Sequence, residues 1–282
     1  MSGTYLYGTY LYGTYLYGAN LHANGIRQHY LRFGDSTETS RQPLVLIPGI
    51  TSPAITWSFV AERLGQHFDT YVLDVRGRGL SSTGPDLAYD TDTCADDVIA
   101  FIEELGLSNV ILAGHSMGAR FALRAVNRSA KGIDKLVLID PPVSGPGRRE
   151  YPSKLPWYVD SIRDCSRGAD IETMRHYCPT WSDEQLRLRA EWLHSCFEPA
   201  IVQAFEEFHS VDIHQDFPGI KVPTLLMCAG KGGVIQDEDR AEIRSLLPTI
   251  RITTAEQAGH MIPWDDFDGF FAAFEDFLGT QL

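Results

Sequence analysis

The chain has 282 residues, 44% of them hydrophobic and 22% charged, enough apolar mass for one large α/β domain or a domain carrying an insertion. Lys and Arg number 24 against 37 Asp and Glu, and the resulting net charge of −13 repels phosphate backbones and anionic membranes, so neither nucleic acid nor a membrane is expected as a partner. An anionic small substrate would need a local basic pocket set against that field. Five scattered cysteines, Cys94, Cys165, Cys178, Cys196 and Cys228, include no CxxC pair and read as reduced thiols. The opening MSGTYLYG lacks a basic segment followed by an apolar one, and no run of 18 apolar residues occurs, so a cytoplasmic protein is expected.

Residues 3–17 are GTYLY three times over, too few copies for a solenoid. The last copy adjoins a turn at Asn24-Gly25 with IRQHYLRF as the returning strand of a hairpin; residues 1–18 are otherwise assigned to a mobile N-terminal extension. Short apolar runs then alternate with helical stretches. LVLI (44–47), TYVLD (70–74), NVILA (109–113), KLVLID (135–140), TLLMCA (224–229) and IRITT (250–254) read as buried strands. Val98, Phe101, Ile102 and Leu105 follow helical spacing and stop at Gly106. The alternation predicts an α/β fold, a mostly parallel sheet with helices on both faces. More than 80 residues separate Asp140 from the strand at 224, far beyond a simple loop, so 143–217 is assigned to a helical cap inserted between core segments 19–142 and 218–282. Phe267, Phe270, Phe271, Phe274 and Phe277 form a core-packing stripe on the last helix.

GHSMG (114–118) directly follows a predicted strand and opens an apolar helix, the setting of a nucleophile elbow, with Ser116 as nucleophile. A serine capping the helix is the plainer alternative. A serine hydroxyl needs a base, and His260, after the last strand and before the Phe-rich helix, fits; His115 is expected to point away, and His209 and His214, without metal-motif spacing, to lie on the surface. The acid would ordinarily follow the next-to-last strand, where the sequence offers only Gly232 and Gly233. Asp140, at the end of the strand beside the nucleophile's, is preferred, with Asp237 and Asp239 as alternatives. The oxyanion donors are expected at the Met117 N–H and, since Pro48 has none, at Ile50. DVRGRGLS (74–81) reads as a scaffold turn.

With PG, DVRGRGLS, GHSMG and GH in this order, the chain from about Ala19 onward resembles the α/β-hydrolase superfamily. The stretches PGITSPAITWSFVAERLG, DPPVSGPGRREYPSKLPWYVDSIR and AGHMIPWDD resemble the N-formylmaleamate deformylase family of aerobic nicotinate degradation within it. The resemblance implies a triad of Ser116, Asp140 and His260, no metal or cofactor, and hydrolysis of a small anionic amide to formate and maleamate. Carboxylesterase or carbon–carbon bond hydrolase activity on a small acid, or a non-catalytic small-molecule receptor, are the alternatives on the same fold. The substrate carboxylate calls for a cap cation; among Arg148, Arg149, Lys154, Arg163 and Arg175, the expectation falls on Arg163 and Arg175, with Tyr177 as hydroxyl donor.

Overall fold

The computed structural model describes residues 14–35, 37–38 and 40–282, so the first two GTYLY copies lie outside the described residues. An antiparallel hairpin comes first, β1 (Tyr15–Ala23) and β2 (Ile26–Phe33), turning at Asn24 and Gly25 with φ of 48° and 73°. Both values are what a two-residue hairpin turn of matching twist demands, and Asn-Gly supplies them at low cost. The hairpin reaches into the third GTYLY copy, so part of the stretch assigned to the extension is strand. Tyr15 meets the Phe33 ring edge-on at 5.4 Å, and Tyr17 packs on Tyr30 while its ring lies under the Arg32 guanidinium.

Six further strands complete an eight-stranded sheet: β3 (Pro43–Ile47), β4 (Asp69–Leu73), β5 (Val110–His115), β6 (Ile133–Ile139), β7 (Thr224–Ala229) and β8 (Arg251–Ala255). Their spatial order is β1-β2-β4-β3-β5-β6-β7-β8, antiparallel as far as the β2–β4 pair and parallel beyond it. Nearly every residue of β3, β5 and β7 is buried, which is why these strands read as continuous apolar runs and not as alternations.

The flanking helices are α1 (Ser58–Leu64), α2 (Thr91–Glu104) and α3 (Met117–Arg128). Asp90 caps α2 by accepting from the Thr93 N–H. Between β6 and β7 lie α4 (Leu155–Ser166), α5 (Ile171–Tyr177), α6 (Asp183–Trp192) and α7 (Glu198–Ser210), the last seated by buried Arg120 of α3, whose guanidinium donates to the carbonyls of Pro142, Glu207 and Val211. After β7 follow α8 (Asp237–Leu246), α9 (Ile262–Asp265) and α10 (Phe267–Leu278). In α10, Phe270, Phe271 and Phe274 are fully buried, while Phe267 and Phe277 are partly exposed at the rim of the same core. Among the described residues, no helix is long and apolar enough to cross a membrane.

Candidate active site

Ser116 occupies the single residue between β5 and α3, with φ 55° and ψ −119°. For a residue with a Cβ this conformation costs roughly 1–3 kcal/mol and persists only where its surroundings dictate it. Here they do. A Cβ on Gly114 would collide with the Gly118 carbonyl, and one on Gly118 with the Ile47 carbonyl, so both glycines are required for β3, β5 and the start of α3 to approach closely. The tight turn sets the Ser116 hydroxyl at the carboxyl end of the sheet. Its side chain makes no capping bond to α3, which removes the reading of Ser116 as a plain helix cap.

His260 lies in the loop between β8 and α9. That loop is pinned by Gly259 N–H donating to Asp265 and Lys231 N–H donating to the Ala258 carbonyl. The imidazole Nε2 stands 2.9 Å from Ser116 Oγ and Nδ1 2.7 Å from Asp140 Oδ2. A carboxylate can only accept, so Nδ1 carries the proton and Nε2 presents its lone pair to the serine hydroxyl. Asp140 follows β6 directly, also at positive φ (44°), and is completely buried. The backbone N–H groups of Ala229 and Val234 donate to its two oxygens, both at 3.3 Å. Gly233 makes room for it, since a Cβ there would stand 3.2 Å from Asp140 Oδ1. The alternative acids are engaged elsewhere: Asp239 with Arg149, and exposed Asp237 with Arg240.

Met117 heads α3, so its N–H has no helical carbonyl to bond. Ile50 lines the cavity above Ser116 from the turn after β3. One buried cation holds both segments: Arg78, from the DVRGRGLS turn, donates through Nε to the Ile50 carbonyl (3.1 Å) and through Nη2 to Met117 Sδ (3.3 Å). That turn does more than support the sheet.

Two histidines lie where the sequence did not place them. His115 does not turn away but packs against His260, ring centroids 5.1 Å apart, and donates from Nε2 to the His260 carbonyl at 3.0 Å. Burial, followed by the neighbouring His260 charge, lowers its pKa from 6.5 to about 3. Below pH 6.5 the unfolded chain therefore binds a proton that the folded protein refuses. Stability is lost as pH falls from 6.5 towards about 3, by up to about 1.4 kcal/mol per pH unit from this group. Urea unfolding at pH 7 and pH 5 should show a smaller acid loss for His115→Gln than for the parent. His214 is buried rather than at the surface, because its Nδ1 and N–H bond Asp212.

A cavity of about 250 Å³ opens above Ser116. Its floor is Gly49–Ser52, His115, Ser116 and His260 from the sheet ends; its roof is Trp157, Tyr158, Tyr177–Trp181 and Arg189 from the insertion. Tyr151, buried, reaches down to the triad, its hydroxyl 3.4 Å from His260 Nε2 and 3.2 Å from the Tyr158 hydroxyl. Trp181 stacks on Trp264 of α9 at 5.3 Å, joining roof to floor.

The two arginines expected to face the substrate do not. Arg163 pairs with Glu198 through Nε and Nη2 and is half exposed, and Arg175 pairs with Asp183 and Glu172 at the outer surface. Both sit on helix faces turned to water, where acidic neighbours take them. Arg148 is held by Asp212 and Glu242, and Lys154 lies exposed beside Glu150. Tyr177 does line the cavity, but its hydroxyl donates to Asp164. Among the described residues, the cation that reaches the cavity is Arg189, only 4% exposed. A sequence signal for it exists: it falls on the buried stripe of α6 and the following turn, between Leu186 and Leu193, where periodicity calls for an apolar residue.

All five cysteines are buried, and burial raises every thiol pKa, Cys165 to about 11 and Cys196 and Cys228 to about 12. Native protein at pH 8 should therefore take up iodoacetamide far more slowly than the urea-unfolded chain, read by mass spectrometry, without loss of activity.

A strained serine between β5 and α3, a histidine after the last strand and an acid after β6 together define a hydrolase of the α/β class. The sequence matches the alpha/beta hydrolase family over residues 44–274, and the chain belongs to that family. It is 66% identical to the N-formylmaleamate deformylase of Pseudomonas putida (strain KT2440) over 92% of this chain and 96% of that protein. A crystal structure of N-formylmaleamic acid deformylase from Pseudomonas putida S16 superposes with a TM-score of 0.87 at 52% identity, covering 92% of this chain and all of the other. E-2-(acetamidomethylene)succinate hydrolase shares the fold, with a TM-score of 0.75 at 21% identity over 94% of this chain and all of that one.

Proposed function

We propose that this chain is a serine amidohydrolase that cleaves N-formylmaleamate to formate and maleamate in aerobic nicotinate degradation, in the cytoplasm, without a cofactor. The carrying observation is the 66% identity to a deformylase over nearly the whole of both chains. The site supplies a matching chemistry. Ser116 Oγ attacks the formyl carbon as His260 Nε2 takes its proton, and buried Asp140 stabilises the imidazolium through Nδ1. The negative oxygen of the tetrahedral intermediate is held by the N–H groups of Ile50 and Met117. His260 returns the proton to the imide nitrogen as the C–N bond breaks, releasing maleamate and leaving formyl-Ser116. This nitrogen leaves more readily than an ordinary amine because a second acyl group shares its electron pair. Water, deprotonated by His260, attacks the formyl ester and frees formate.

The cavity above Ser116 is of a size that suits such a substrate. The test is product analysis by NMR after incubating purified protein with N-formylmaleamate: formate and maleamate in equal amounts are expected. Intact N-formylmaleamate alongside fast cleavage of p-nitrophenyl esters would overturn the reading in favour of a general esterase.

A further inference from the structure

Arg189 is a buried cation with an unused bidentate edge. Its Nε and Nη2 atoms, the two that grip Glu198 on Arg163 and Asp69 on Arg32, have no hydrogen-bond partner among the described residues. Its guanidinium lies 5.3 Å from the Trp157 ring centroid and 5.6 Å from that of Trp181, so two indoles fix its plane and exclude water from its faces. A desolvated guanidinium with an unpaired fork is costly unless an anion completes it. The other cap cations named above are already spent on Glu and Asp side chains.

Resting on the deformylase reading, we propose that Arg189 is the specificity residue of this site, binding the carboxylate of the substrate side-on through Nε and Nη2 while the acyl end lies on Ser116. The indoles fix the guanidinium plane before a ligand arrives, which lowers the conformational cost of binding. A lysine cannot replace it, because a point charge has no parallel pair of donors. Selectivity for short acids that carry an acyl group a few bonds from a carboxylate follows.

The test crosses variant with substrate charge. Kinetics of the parent, R189M and R189K are measured on N-formylmaleamate and on p-nitrophenyl formate, a neutral ester that also passes through formyl-Ser116. R189M should lose about 100-fold or more in kcat/KM on N-formylmaleamate, chiefly through KM, and under about 3-fold on the neutral ester; R189K should recover only a minor part. Maleate should inhibit parent turnover of p-nitrophenyl formate competitively and lose that effect in R189M. Equal losses on both substrates, or undiminished maleate inhibition of R189M, would overturn the proposal by making Arg189 a packing residue. R189K, which keeps the buried charge, decides in the same way should R189M fail to fold. If the parent leaves N-formylmaleamate intact, the deformylase reading fails, yet maleate inhibition of ester turnover still decides whether Arg189 binds a carboxylate.

Discussion

Ser116→Ala is expected to lower kcat on N-formylmaleamate by about 10⁴–10⁶ while leaving the fold and substrate binding in place. The alanine removes Oγ and its bond to His260 Nε2 but keeps the backbone turn, because Gly114 and Gly118 still permit the close approach of β3, β5 and α3. Ser116→Gly separates chemistry from conformation. At φ 55° a glycine pays none of the cost that a Cβ imposes, so this variant should be as inactive as the alanine one yet more stable than the parent, by about 1 kcal/mol in urea titration. A serine held at positive φ for structural reasons would give a glycine variant of unchanged activity, and that result would remove Ser116 from the chemistry.

Asp140→Asn should cost about 10⁴ in kcat. Asparagine is nearly isosteric, and with its amide nitrogen in the Oδ2 position its carbonyl oxygen still accepts from Ala229 N–H, while Val234 N–H loses its acceptor; the site should keep its shape at the loss of that one bond. Its amide nitrogen, however, then donates to His260 Nδ1, and the proton moves to Nε2, where it faces Ser116 and cannot accept the serine's. Asp237→Asn and Asp239→Asn should both stay near parental activity, because these side chains face Arg240 and Arg149. Activity lost at Asp239 and kept at Asp140 would relocate the acid.

What the sequence disclosed and what it withheld divide along physical lines. Turn chemistry is local, so Asn24-Gly25 announced the hairpin and GHSMG the elbow. Buried parallel strands are apolar on both faces, so β3, β5 and β7 were readable as runs. The approach of Asp140 to His260 was readable from an absence, the glycines at 232 and 233 where a carboxylate ordinarily sits. Arginine partners are tertiary facts. Helical periodicity sets Arg189 on a buried stripe, but nothing local shows that its face meets Trp157 and Trp181 under the roof of the cavity while that of Arg163 meets Glu198 in water. The burial of His115 was hidden for the same reason, since its partner is the distant His260 carbonyl; the partner of His214, Asp212, is two residues away, and what the sequence hid there was the packing of that turn into the core.

The glycine at 233 carries an implication for how such a site can change without losing its function. β6 and β7 end side by side, and His260 Nδ1 sits where a carboxylate from either strand end could meet it, so the sheet offers two neighbouring seats for one charge. Because a Cβ at 233 would already touch the acid from β6, and two buried carboxylates would repel, the seats are mutually exclusive. Moving the acid from one strand to the other therefore requires two coordinated substitutions, a carboxylate gained at one strand end and lost at the other.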